Sequence, residues 1–96
     1  MLNSSFQKII DGESPVLVDF YADWCGPCRM MPPVLKELKD RMGDQIRIFK
    51  VNVDEHNDIA AHFEVSSIPT MMIFKKGELL WREPGVKNAN QLQQIL

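Results

Sequence analysis

The chain reads as an α/β fold: a mixed central sheet of about four strands, flanked by helices on both faces. Three observations predict it. Val16-Leu17-Val18-Asp19-Phe20-Tyr21 is a short strand-type run, apolar on both alternating faces, as expected of a strand covered by helices on each side. Met31, Leu35, Leu38 and Met42 recur at helical spacing, with Lys36, Glu37, Lys39 and Asp40 on the opposite face. From Ile46 to Asp54 the period changes to two: Phe49, Val51 and Val53 share one face, and Ile48, Lys50 and Asn52 the other.

The elements follow in order. Ser4 or Ser5 is a candidate cap for a short helix through about Ile10, ended by Asp11-Gly12. The first strand, Val16 to Tyr21, leads into a helix from about Cys25 to Met42, closed by Gly43. Pro32 and Pro33 remove two backbone donors inside that span, so the carbonyls of Cys28 and Arg29 lose their partners and a kink is expected. The second strand covers Ile46 to Asp54. Asn57 or Asp58 is placed to cap a short helix carrying Ile59, Ala60 and Phe63. Met71 to Phe74 and Glu78 to Arg82 form a hairpin across Lys75-Lys76-Gly77. A last helix follows Asn88, with Leu92, Ile95 and Leu96 directed inward. The order αβαβαββα makes the first two strands parallel and the hairpin antiparallel.

Size and composition set limits. Ninety-six residues, 45% hydrophobic and 25% charged, suffice for one small domain, 1–96, with a modest core. The net charge of −2 and the lack of a basic stripe give no reason to expect nucleic-acid binding. No apolar run approaches the roughly 20 residues of a membrane span. Met1 to Phe6 shows neither a basic nor an apolar leader region, so a reducing, cytoplasmic location is expected.

The chemistry concentrates in Trp24-Cys25-Gly26-Pro27-Cys28, which holds both cysteines of the chain at a strand-to-helix junction. A Cys-x-x-Cys pair there reads as a redox dithiol. Unpaired N–H groups at the helix start favour a thiolate on Cys25, and Cys28 stands one turn further in. Two other readings stay open at this point. A crosslink closing so short a loop would stabilise the fold by only about 2 kcal/mol. A zinc site would need His56 and His62, whose spacing and distance from the cysteines fit such sites poorly. Asp19, in the middle of an apolar strand, requires either a partner or a function. Trp24, in the loop before the helix, is expected to be partly exposed.

Val18-Asp19-Phe20-Tyr21-Ala22-Asp23-Trp24-Cys25-Gly26-Pro27-Cys28-Arg29-Met30 resembles the active-site segment of the thioredoxin family. Val51-Asn52-Val53-Asp54, Ile68-Pro69-Thr70, Phe74-Lys75-Lys76-Gly77 and Gly85 resemble it in order and spacing, and the likeness runs over about residues 5–96. Gly26 and Pro27 between the cysteines are similar to thioredoxin proper and unlike the oxidase, isomerase and glutaredoxin branches.

The resemblance implies the thioredoxin fold and a protein-disulfide reductase, with a redox-active Cys25–Cys28 disulfide and no bound cofactor. Cys25 would be the nucleophile and Cys28 the resolving thiol. Asp19 would be the buried proton acceptor behind Cys28, with Lys50 close enough to tune it. Pro69 would be cis and would leave Ile68 free to pair with a substrate strand. Trp24, Val53, Ile68, Pro69, Gly85 and Val86 would form the substrate-binding surface. The implied partners are thioredoxin reductase, carrying electrons from NADPH through a flavin, and disulfide-containing proteins, met by a monomer. A disulfide oxidase or isomerase of the same fold, or a redox-independent binding subunit, are the alternatives.

The chain also departs from the family pattern. Ser66-Ser67 stands where a basic residue and Gly are common, Glu83-Pro84 precedes Gly85, and Arg29 replaces the usual Lys. The family's first strand has no counterpart before Ser4, so a four-stranded sheet is expected. The edge of the second strand is then uncovered, guarded by Arg47 and Lys50.

Overall fold

The computed structural model describes residues 2–96. Helix α1 (Ser4–Ile10) precedes strand β1 (Val16–Tyr21). A 3-10 turn (Pro27–Met30) runs into α2 (Met31–Met42), followed by a second such turn at Gly43–Gln45. Then come β2 (Arg47–Asn52), α3 (Asn57–His62), β3 (Thr70–Lys75), β4 (Glu78–Pro84) and α4 (Ala89–Ile95).

The four strands lie in the order β2-β1-β3-β4. β1 and β2 are parallel, with Asp19 opposite Lys50, and the other two pairings are antiparallel. The mixed four-stranded sheet therefore stands as expected, with β2 and β4 at its edges. Central β1 is buried on both faces. Val16, Val18 and Phe20 pack with Phe6, Ile10, Ile59, Met72 and Phe74 on one side. Leu17 packs with Met31, Leu35, Leu38, Met71, Ile73 and Leu92 on the other. This two-sided burial explains why the strand reads as a continuous apolar run with a single acid in it.

The prolines act differently from the expected interior kink. Cys25 lies ahead of the helix, and the α-helical stretch begins only at Met31, so Pro32 and Pro33 occupy its first turn. There a missing N–H costs little, because those donors have no intrahelical partner anyway. The Cys28 carbonyl instead accepts from the Met31 N–H, a tighter bond that gives the preceding turn its 3-10 form. Gly43 ends α2, as expected, at φ 54° and ψ −126°, a positive-φ conformation that side chains disfavour and glycine adopts freely.

Three local expectations are corrected. Asn3, not Ser4 or Ser5, caps α1: its side chain accepts from the N–H groups of Ser5 and Phe6. α3 is led by His56 and has no side-chain cap, so neither Asn57 nor Asp58 serves there. In α4, Leu92 is buried but Ile95 is exposed; Ala89 takes the second inward position. Leu96 packs against the same cluster as Leu92, as expected, and Ile95 falls at the edge of the stripe that Ala89, Leu92 and Leu96 set.

Candidate active site

The site lies at the C-terminal end of β1, where the chain leaves the sheet and turns into the 3-10 segment. The Cys25 N–H donates to the Ala22 carbonyl at 3.2 Å, and the Arg29 N–H to Gly26 at 3.1 Å. These bonds shape the turn that brings the cysteines together. Cys25 and Cys28 are joined in a disulfide, with their α-carbons 5.3 Å apart. The Cys28 N–H points at Cys25 Sγ at 3.2 Å. That donor is positioned to stabilise negative charge on Cys25 when the bond is reduced. Both residues are buried, so exposure does not separate them. The separation lies in contacts: Cys25 Sγ is 3.8 Å from the Ile68 carbonyl oxygen, whereas Cys28 lines a cleft on the opposite side.

The Ile68–Pro69 peptide bond is cis. Gly85, at φ 94°, donates its N–H to the Pro69 carbonyl at 2.8 Å, which brings the end of β4 beside the segment facing the cysteines. Thr70 is buried and its hydroxyl donates to the Ser67 carbonyl at 2.6 Å, fixing the approach to Pro69. Trp24, Val53, Val65, Ser66, Ser67 and Ile68 line a shallow groove of about 170 Å³. Trp24 is 70% exposed and Val86 is 36% exposed. Of the six residues assigned to the docking surface, Trp24, Val53 and Ile68 share this groove, while Pro69 and Gly85 are joined by their backbone bond.

Asp19 is 1% exposed, and neither carboxylate oxygen has a hydrogen-bond partner among the described residues. Burial pushes its pKa up from 3.8 to about 6, while the Lys50 charge pulls weakly the other way. Lys50 itself is exposed, and its ammonium lies 4.8 Å from the centroid of the Tyr21 ring. Tyr21, Ala22, Asp23, Cys28, Arg29, Pro32 and Lys50 line the cleft behind the disulfide, about 200 Å³ in volume. Two contributors escaped the sequence reading. Asp54 accepts a hydrogen bond from the Trp24 indole at 2.8 Å, and Tyr21 carries the Lys50 contact. An acid after an Asn-Val pair and an aromatic at a strand end carry no local signal for either role.

His56 and His62 do not join the cysteines: among the described residues no three His, Cys, Asp or Glu side chains converge as a metal site. The His62 ring instead packs edge-on against Phe63, 4.8 Å away.

A Cys-x-x-Cys disulfide at the end of a central strand, facing a cis-proline, defines a thiol–disulfide oxidoreductase. The family model named Thioredoxin matches residues 1–96, and the chain belongs to the thioredoxin family. It is 43% identical over 96 residues to thioredoxin of Alicyclobacillus acidocaldarius, covering all of this chain and 91% of that protein. It is 45% identical over 94 residues to chloroplastic thioredoxin Y of Oryza sativa, covering 96% of this chain but only 56% of the rice protein's length. Among solved structures it is similar to oxidised mitochondrial thioredoxin 3 of Saccharomyces cerevisiae. The TM-score is 0.84 at 38% identity, over 95% of this chain and 84% of that one. The Cys25–Cys28 pair is accordingly a redox-active disulfide, and the chemistry is dithiol–disulfide exchange in the reducing direction.

Proposed function

We propose that this chain reduces protein disulfides with Cys25 as nucleophile, Cys28 as resolving thiol and Asp19 as proton acceptor. The observation that carries the assignment is the Cys28 N–H aimed at Cys25 Sγ, while no equivalent donor meets Cys28 Sγ among the described residues. The Cys25 thiolate attacks a substrate disulfide, forms a mixed disulfide and expels one substrate thiolate. Cys28, giving its proton toward the Asp19 carboxylate, then attacks Cys25 Sγ. That step closes Cys25–Cys28 and expels the second thiolate. Two electrons pass from the dithiol to the substrate, and the expelled thiolates take up protons.

The groove beside Cys25, formed by Trp24, Val53 and Ile68, suits an apolar side chain of an extended substrate segment. The backbone of Ile68 would pair with that segment, with Pro69, Gly85 and Val86 completing the rim. A flavin-dependent reductase drawing on NADPH returns the disulfide to the dithiol. Because both cysteines belong to the redox pair, the reading fits a reducing, cytoplasmic compartment.

The test is turnover of a model protein disulfide with NADPH and thioredoxin reductase. Cys25→Ser is expected to abolish it, and Cys28→Ser to accumulate a mixed disulfide through Cys25. Trapping through Cys28 in Cys25→Ser, at the rate seen through Cys25, reverses the assignment. A redox titration giving a potential in the oxidising range of DsbA overturns the reducing direction.

A further inference from the structure

Lys50 stands directly across from Asp19 in the β1–β2 register, yet its ammonium is not on that carboxylate. It lies over the Tyr21 ring, while both oxygens of Asp19 go without a hydrogen-bond partner among the described residues. Tyr21 is two residues beyond Asp19 on the same strand, so the two side chains share a face of the sheet. The ammonium therefore has two competing places within reach of one flexible side chain: the aromatic ring and the carboxylate. An ammonium over an aromatic face is held by the ring's quadrupole and stays largely hydrated. Pairing with a buried carboxylate would require it to lose that water.

We propose that Tyr21 is a positioning residue for the exchange reaction: its ring holds the Lys50 ammonium off Asp19, leaving that carboxylate unpaired and free to accept the Cys28 proton. The proposal rests on the reading of Asp19 given above. An ion-paired Asp19 would be a weaker base, because its charged form would be stabilised. With Lys50 on the ring, burial dominates and Lys50 acts only as a weaker, opposing charge. Among the described residues the other surroundings offer Asp19 no substitute cation. β3 presents Met71 opposite Asp19, and α2 and α4 present Met31, Leu35, Leu38 and Leu92. From the active-site turn come Cys28, Asp23 and Arg29, whose guanidinium is placed against the Asp23 carbonyl oxygen at 3.4 Å.

The experiment follows the Asp19 carboxyl by carbon-13 NMR titration, and in parallel the stopped-flow release of an aromatic thiol from its mixed disulfide with Cys25. The variants are Tyr21→Phe, Tyr21→Leu, Lys50→Met and the Tyr21→Leu/Lys50→Met double. Tyr21→Phe keeps the ring and is expected to leave both readouts unchanged. Tyr21→Leu frees the ammonium to reach Asp19, lowering the titration midpoint by about half a pH unit and slowing release near neutral pH by up to about threefold. Lys50→Met is expected to raise the midpoint, and the double variant to match Lys50→Met. A Tyr21→Leu midpoint that stays put or rises overturns the proposal. So does a double variant displaced from Lys50→Met as far as Tyr21→Leu is from the parent. Should the midpoint move as expected while release does not follow it, Tyr21 still sets where the Lys50 ammonium sits, but Asp19 as proton acceptor falls and the role of Tyr21 in exchange falls with it.

Discussion

The indole N–H of Trp24 donates to the Asp54 carboxylate at 2.8 Å, across 30 residues of sequence. Trp24 is otherwise largely in solvent, so this one bond ties a broad apolar face to the segment just beyond β2. Held there, the indole forms a wall of the groove next to Cys25. An exposed hydrogen bond to a charged acceptor contributes modestly, about 0.5–1 kcal/mol. Asp54→Ala is therefore expected to raise KM for a protein disulfide about two- to fivefold, with kcat changed less. Nitrogen-15 relaxation at the indole should show increased motion. An unchanged KM with a mobile indole would show that the ring's orientation does not matter for docking.

Asp19 gives the chain a defined pH dependence of stability. Its pKa is raised in the folded state, from 3.8 to about 6, because burial disfavours the carboxylate. Between those values the folded chain retains a proton that the unfolded chain releases. The associated stability is thus fully present below about pH 3.8 and is lost as pH rises through about 6. The full loss corresponds to about 3 kcal/mol. Asp19→Asn removes the ionisation, so it is expected to be more stable than the parent by about 1–3 kcal/mol at pH 8 and little different at pH 3.5. Urea unfolding of the oxidised forms across this range checks the sign. A parent that gains stability from pH 4 to 7 relative to Asp19→Asn would contradict it.

The β3–β4 hairpin depends on Gly77. Lys76 and Gly77 both have positive φ, 53° and 80°, and the Gly77 N–H donates to the Ile10 carbonyl at 2.8 Å. A β-carbon at Gly77 would come within 2.6 Å of the Asp11 carboxylate, which is itself bonded to Gln7 at 2.8 Å. Gly77→Ala combines an unfavourable backbone conformation with displacement of that carboxylate. A loss of about 1–2 kcal/mol is expected, seen as a lower Tm, with little effect on exchange activity.

Asn88 and Gln91 form a reciprocal capping box at the start of α4, each side chain accepting from the other's backbone N–H at 2.8 Å. α4 is only 7 residues long, so it relies on this cap and on Leu92 packing against the α2 side of the sheet. Asn88→Ala is expected to cost about 1 kcal/mol, and Asn88→Ser to recover most of it. Amide hydrogen exchange in residues 91–96 should report the fraying directly.

Much of the fold was readable because burial on two faces leaves a strong local signature. The apolar run of β1 and the Met31-Leu35-Leu38 stripe of α2 could be assigned without knowing their neighbours. Boundaries that depend on competition between nearby polar groups leave no such signature. Asn3 prevailed over Ser4 and Ser5 at one cap, and no side chain took the cap at α3. The start of α2 is hidden in the sequence for a related reason. Two prolines in a helical pattern look alike whether they sit inside a helix or in its first turn. The 3-10 bond from Met31 to Cys28 settles which.

The Cys-x-x-Cys pair, the acid in the middle of β1 and the helical and alternating periods are properties of local residue order. They were enough to define a redox dithiol in an α/β sheet. Pairing Trp24 with Asp54, setting Ile68 against Cys25 and placing Lys50 over Tyr21 instead of on Asp19 depend on how distant segments meet. No local pattern encodes those contacts, because each arises from strand register and from competition between a charge's partners within the folded chain.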